Sequence, residues 1–279
     1  MSCRRPVFGY ASTTSPPERV RDADVQLAHR LVDAAGSVIR PLFRNLTSVG
    51  TKDDLSPVTE ADRAAEGAMR RLIEAEYPRD GIVGEEYGEK PGSTGRTWVL
   101  DPIDGTRSFT AGRALFGTLV ALVQDGWPVL GIIDQPVLRE RWVGAIGRST
   151  TFNDRPARTR ACRQIGGALL ATTSPHLFGE SEGERYIRLV AQVAGQSRQG
   201  PMYGGDCYNY ALLASGHVDL VVEAGLKLYD FAALVPVVEG AGGTMCDWAG
   251  HPLNADSAGD VIAMGDPARL EDIVEALAI

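Results

Sequence analysis

Cysteine is scarce and scattered. Cys3, Cys162, Cys207 and Cys246 are the full complement, and no two form a C-x-x-C pair. This spacing excludes a cysteine-built zinc module and a disulfide framework, and it predicts reduced thiols in a cytoplasmic protein. Histidine is equally sparse: His29, His176, His217 and His251 share no metal-ligand spacing. No apolar run approaches the length of a membrane span, so no membrane partner is expected. Nor is there an excess of positive charge. Lys and Arg number 28 against 36 Asp and Glu, a net charge of −8. That excludes gripping nucleic acid through a broad basic face. A phosphate-bearing substrate would need local cations, and metals are the simplest supply.

The 279 residues are enough to bury a sizeable core, in one large or two intimately packed units. Residues 1–19 hold basic and Ser/Thr positions, have no apolar stretch of signal-peptide length, and read as a mobile arm. The rest, 20–279, reads as a single catalytic domain with an N-terminal half over about 20–150 and a C-terminal half over about 151–279. From Val20 to Phe43 the apolar residues fall at helical spacing. Thr59 with Asp62 resembles a capping box that opens a helix running to about Tyr77, and Asp62 and Glu66 share one face of it. Strands are expected at Gly81–Glu86, Trp98–Leu100, Phe116–Val123, Pro128–Gln135, Glu140–Ile146, Ala168–Thr173 and Val218–Glu223, with a hairpin at Asp125-Gly126. Further helices are expected over Glu184–Ala194, Tyr208–Ser215, Phe231–Glu239 and Pro267–Ala278. Antiparallel strands behind two helices, then alternating strand and helix, argue for layered sheets.

The chemistry concentrates in Trp98-Val-Leu-Asp-Pro-Ile-Asp-Gly-Thr106. An apolar strand ends abruptly in two carboxylates three residues apart, with proline between them and glycine after. Such a stretch can be an acidic turn, since turns favour Asp and Gly. It can also aim hard oxygen ligands at one point, and a helix starting near Gly105 would offer free amides to an anion. Other acids stand at element ends: Glu85 after a strand, Glu223 at the end of another, and Asp230 at the start of a helix. Asp62 is a further candidate, although capping alone explains it.

Four segments in order resemble the inositol monophosphatase family of Mg²⁺-dependent, Li⁺-sensitive phosphatases. They are Ser56-Pro-Val-Thr-Glu-Ala-Asp62, Gly84-Glu-Glu86, Asp101-Pro-Ile-Asp-Gly-Thr106, and Tyr229-Asp-Phe-Ala-Ala233 followed by Glu239-Gly-Ala-Gly-Gly243. One departure is Tyr229, where many members carry Trp. The resemblance implies a five-layered αβαβα sandwich of mixed α/β class, a homodimer, and two to three Mg²⁺ ions. Glu85, Asp101 and the Ile103 carbonyl would hold the first ion, and Asp101, Asp104 and Asp230 the second. A weaker third would lean on Glu85 near Asp62. Thr106 would orient or deprotonate the attacking water with Asp62 behind it, Glu85 completing the catalytic set, and Gly105 and Thr106 amides would hold phosphate. Asp104, Asp206, Glu223 and Asp230 would meet the substrate.

Within the family, Gly205-Asp-Cys-Tyr208, Phe116-Gly-Thr-Leu-Val-Ala-Leu and Gly131-Ile-Ile-Asp-Gln-Pro-Val resemble the histidinol-phosphate phosphatases. Asp206 stands where inositol-specific relatives are small and uncharged. A carboxylate there suits the ammonium of histidinol phosphate, and capping of its own helix explains it equally well. Inositol phosphate, fructose bisphosphate or adenosine bisphosphate are alternative substrates. A non-catalytic metal- or phosphate-binding module is the alternative of another class. The sequence shows no basic cluster near Asp206 for a second phosphate, leaving distant Arg160 and Arg198 to fold in.

Overall fold

The computed structural model describes residues 20–46, 49–51, 57–193 and 200–278. The arm at 1–19, Ser56 and Arg198 lie outside the described residues. Helix α1 (Asp22–Leu42) buries Leu27, Ala28, Leu31, Val32, Ala35 and Ile39, the stripe that helical periodicity dictates. Helix α2 (Glu60–Glu76) opens with Thr59 and Asp62 capping each other reciprocally, and it buries Ala61, Ala65, Met69 and Ile73. Both helices pack on one face of an eight-stranded sheet, against Trp98, Leu100, Ile103, Val120, Leu122, Leu130 and Ile132.

Across that sheet the strands run in the order Arg155–Pro156, Arg148–Phe152, Glu140–Ala145, Trp127–Gln135, Gly117–Gln124, Arg96–Asp104, Gly81–Gly84 and Gly88–Lys90. All neighbours are antiparallel except Gly81–Gly84 and Arg96–Asp104, which pair in parallel with Gly84 opposite Leu100. Alternate residues Val99, Leu119, Ala121, Val123, Ile133 and Trp142 face the other way, as a period of two requires. They meet a middle layer of helices, which follows the short α3 (Thr106–Thr110) and the outer α4 (Glu180–Val193) in sequence: α5 (Asp206–Ala214), α6 (Leu228–Phe231) and α7 (Leu234–Gly240).

Beneath this layer lies a five-stranded sheet, ordered Met202–Tyr203, Leu170–Thr172, Leu220–Glu223, Val261–Met264 and Thr244–Cys246. Its outer face is covered by α4 and α8 (Leu270–Leu277) through Tyr186, Leu189, Val193, Ile273 and Leu277. Helix, sheet, helix, sheet, helix is the layering that the sequence motifs implied. Among the described residues no helix is long and apolar enough to cross a membrane.

Several elements differ from expectation. The helix expected over Phe231–Glu239 is two helices, broken at Ala232 and Ala233. Pro236 is the reason: it has no amide for the Ala232 carbonyl, and its ring crowds that carbonyl. The last helix begins as a 3₁₀ turn at Pro267–Arg269. The Tyr208 helix starts at Asp206. Strands Gly88–Lys90, Arg148–Phe152, Thr244–Cys246 and Val261–Met264 were not anticipated.

Candidate active site

In a regular strand Asp101 and Asp104, three residues apart, would point to opposite faces. The structure brings them together with a bulge. Asp101 pairs with Leu119 and Asp104 with Gly117, so the strand carries one residue more than its partner in this interval. Pro102 has no amide to lose there. Its carbonyl accepts from Thr118 Oγ1 at 2.8 Å, and the Ile103 amide donates to Asp101 Oδ1 at 3.0 Å. Gly105 follows with φ 90°, a backbone that favours glycine, and α3 opens at Thr106. Thr106 Oγ1 donates to the Ile103 carbonyl at 3.1 Å, which leaves that carbonyl one lone pair.

Asp230 arrives from the middle layer on α6, where its Oδ2 accepts from the Lys227 amide at 2.6 Å. The free side of its carboxylate meets the other two acids. Asp101, Asp104 and Asp230 each place one oxygen within 4.8 Å of the others. Asp104 Oδ2 also accepts from the Cys207 amide at 2.6 Å, which ties the bulge to α5. Glu85, in the turn after Gly81–Gly84, lies near enough to act on Asp62, Asp101 and Asp230 through its charge. Asp62 is fully buried, and its Oδ2 accepts from the Thr59 amide at 2.8 Å and from the Thr59 hydroxyl. Its Oδ1 is buried with no partner.

These acids are electrostatically frustrated. Burial, then repulsion from Glu85, Asp104 and Asp230, pushes Asp101 well above the usual carboxylate range. Burial, then Asp206 and Asp230, does the same to Asp104. Burial is also the main cause that lifts Asp230 to about 7, although its bond to Lys227 opposes the shift. Asp62 is raised by burial against the opposing bonds from Thr59. The donor set is all oxygen, crowded, and short of positive charge, and it includes an orphaned buried atom. Those properties fit a hard divalent cation such as Mg²⁺.

A cavity of about 300 Å³ adjoins the acids, lined by Asp104, Asp206, Tyr210, Glu223, Leu226 and Asp230 among others. Glu223 is fixed at its wall by the Thr173 amide at 2.6 Å and the Thr172 hydroxyl at 3.1 Å; burial still lifts it to about 7. Asp206 does not occupy the capping position of its helix. Gly205 is the N-cap, and Asp206 is the first helical residue, in the left-handed region at φ 43°. Its carboxylate turns back over the phosphate-side turn, where a Cβ on Gly105 would meet Asp206 Oδ2 at 2.9 Å. Burial lifts Asp206 to about 6, opposed by Arg107 and Arg113.

Those two arginines correct the sequence reading, which placed no basic cluster near Asp206. Arg107 directly follows Thr106, and its position beside the motif was the available signal. Arg160 is elsewhere, held by Asp219 at 2.6 Å through both nitrogens. Thr173 and Tyr210 at the cavity wall, and Thr172 behind Glu223, were also missed; only the strand and helix patterns around them hinted at their place.

Layered sheets that converge three crowded acids beside a cleft roomy enough for a small phosphate ester define the class of metal-dependent phosphomonoesterases. The chain belongs to the inositol monophosphatase family, whose profile matches residues 19–278. Members are typically Mg²⁺-dependent hydrolases of phosphomonoesters. The chain is 47% identical to the bifunctional phosphatase IMPL2, chloroplastic, of Arabidopsis thaliana, over 98% of this chain and 80% of that protein. It is 37% identical to the histidinol-phosphatase of Mycobacterium tuberculosis, over 80% of this chain and 86% of that one. A solved inositol monophosphatase from Zymomonas mobilis superposes with a TM-score of 0.83 at 53% identity, covering 92% of this chain and 98% of that chain.

Proposed function

We propose that this phosphatase hydrolyses L-histidinol phosphate to L-histidinol and phosphate, in the cytoplasm and as a homodimer. The observation that carries the substrate is Asp206. It adds a carboxylate to a cavity wall that already holds Glu223, and a cationic substrate end gains charge-assisted hydrogen bonds from such a pair. Relatives named histidinol-phosphatase in Mycobacterium tuberculosis and Chlorobaculum parvum, 37% and 36% identical, support the same reading.

In this reading Glu85, Asp101, the Ile103 carbonyl, Asp104 and Asp230 would hold two Mg²⁺ ions, and Glu85 near Asp62 would support a weaker third. Bound Mg²⁺ would supply an activated water and neutralise charge on the leaving oxygen. The chain's own groups do the rest. Thr106, whose proton is committed to the Ile103 carbonyl, presents its oxygen lone pairs to the attacking water and orients it. Asp62, raised by burial and with Oδ1 unpartnered, receives the proton. The amides of Gly105 and Thr106 hold phosphate oxygens. Asp206 and Glu223 face the organic part. Water attacks phosphorus directly, so no phosphoenzyme forms.

A second reading, inositol 1-phosphate as substrate, is favoured by Arg107 and Arg113, which partly neutralise Asp206. The deciding experiment is Mg²⁺-dependent phosphate release from L-histidinol phosphate beside inositol 1-phosphate, with EDTA and Li⁺ as controls. Faster release from the inositol ester would displace the first reading in favour of the second. Turnover that survives exhaustive chelation would remove the metal assignment.

A further inference from the structure

We infer that Glu66 is a positioning residue: with Arg70 it clamps the turn that carries Glu85 and so fixes one wall of the metal site. The inference rests on the proposed role of Glu85 as a ligand. Glu85 sits in a tight turn whose ends, Gly84 and Gly88, pair with each other. The turn is tied down at each amide. The Glu85 amide donates to the Leu100 carbonyl at 3.2 Å, one residue before Asp101. The amides of Glu86 and Tyr87 donate to the two oxygens of Glu66, at 2.7 and 3.2 Å. Arg70, one helical turn further along α2, donates to Glu66 Oε1 at 2.7 Å and to the Gly88 carbonyl. One i, i+4 pair therefore grips both halves of the turn.

Gly84 makes room for the clamp. A Cβ at that position would lie 2.0 Å from Glu66 Oε1. Glu66 itself is fully buried. A buried carboxylate is costly unless its oxygens are satisfied, and a hydrophobic residue would fill the space with less desolvation. What the carboxylate adds is direction. It fixes two successive amides and thereby the backbone from which Glu85 projects toward Asp101. Asp62 lies one turn earlier on the same helix, so α2 registers Asp62 and the Glu85 turn together against the bulged strand.

The test is calorimetric Mg²⁺ binding to wild type, Glu66→Gln and Glu85→Gln, with thermal melts of each metal-free protein. Glutamine keeps the shape but turns an NH₂ toward a backbone amide. Partners that orient metal ligands cost about 10–100-fold in metal affinity when lost, so Glu66→Gln should weaken Mg²⁺ by at least about tenfold. Arg70→Met should act in the same direction by less. A merely space-filling Glu66 would lower the melting temperature and leave Mg²⁺ affinity alone. Wild-type affinity in Glu66→Gln, with weakened binding in Glu85→Gln, overturns the clamp. Wild-type affinity in Glu85→Gln is a different failure: it removes Glu85 from the metal, and the clamp's purpose with it. If Glu66→Gln does not fold, Gly84→Ala displaces the same carboxylate, and unchanged affinity there overturns the inference.

Discussion

Two clusters of acids in this molecule have opposite characters. At the edge of the eight-stranded sheet, Asp24 and Asp80 are nearly inaccessible, and each has an arginine. Arg96 bonds Asp24 at 2.7 Å and Asp80 at 3.1 Å, and Arg21 adds 2.8 Å to Asp24. Burial pushes Asp24 up, but the two guanidinium groups more than offset it and hold it below the usual range. At the cleft Asp101, Asp104 and Asp230 bring oxygens within 4.8 Å of one another, with no arginine bonded to them among the described residues. Burial and repulsion from neighbouring acids, Glu85 and Asp206 among them, push all three up. The first cluster is complete as a structure. The second is complete only with a cation from outside, which marks it as a site.

The strongest way to break this comparison is Asp101→Asn. Removing the carboxylate shared between the proposed ions should cut turnover about 10³-fold, since metal-based charge stabilisation is worth several kcal/mol. The metal-free protein should melt no lower than wild type, because a repulsive charge has gone. Steady-state kinetics at saturating Mg²⁺, beside melts in EDTA, check both halves; normal kcat would take Asp101 out of the mechanism. Arg96→Met is the mirror experiment. It leaves buried Asp80 without its arginine and Asp24 with Arg21 alone, and should destabilise the fold by about 3–5 kcal/mol, while leaving kcat of the folded fraction intact. Denaturant titration reads this, and a loss below about 1 kcal/mol would mean the network is ornamental.

Asp206→Ala asks which character the cavity wall has. A charge-assisted bond is worth about 1.5–3 kcal/mol, so kcat/KM for histidinol phosphate should fall about 10- to 150-fold relative to a neutral phosphomonoester. An unchanged ratio would leave Asp206 serving only Arg107 and Arg113. The smallest effect is in pH. Asp230 titrates at about 7 when folded, against 3.8 for an ordinary Asp. The native state then binds more protons than the unfolded chain across that window, so metal-free stability should fall as pH rises from 3.8 to about 7. Asp24, depressed, works the other way: its contribution is present above its ordinary value and is lost in acid. Melts from pH 5 to 8 in EDTA should therefore slope downward, and Mg²⁺ should abolish the slope. A flat metal-free profile would show the acids to be less crowded than drawn.

Much of this was legible in the chain. Thr59 with Asp62 announced both the capping box and the start of α2. Asp125-Gly126 announced the hairpin between Gly117–Gln124 and Trp127–Gln135. The acids of the cleft could be named because each sits near an element end, Glu85, Asp101 and Asp104 with glycine or proline beside them. The sequence did not reveal what depends on distant packing. Val261–Met264 is apolar on both faces because it lies inside a sheet covered on both sides, and a short continuous run carries no period to read. The Asp206 conformation depends on Gly105, about a hundred residues away in the chain. The nearness of Arg107 and Arg113 to Asp206 is invisible for the same reason.

The place of Asp230 has a consequence for how the protein matures. Asp101 and Asp104 lie on a sheet that the first half of the chain completes, whereas Asp230 is delivered by a helix from the other half. A nascent chain therefore has no complete ion trap until α6 has docked between the sheets. Closing so long a loop is slow and gains nothing from the ion beforehand. Mg²⁺ then binds the finished fold alone and stabilises it by mass action. The ion acts less as a scaffold for assembly than as an inspection of it, retained by chains whose two halves have met.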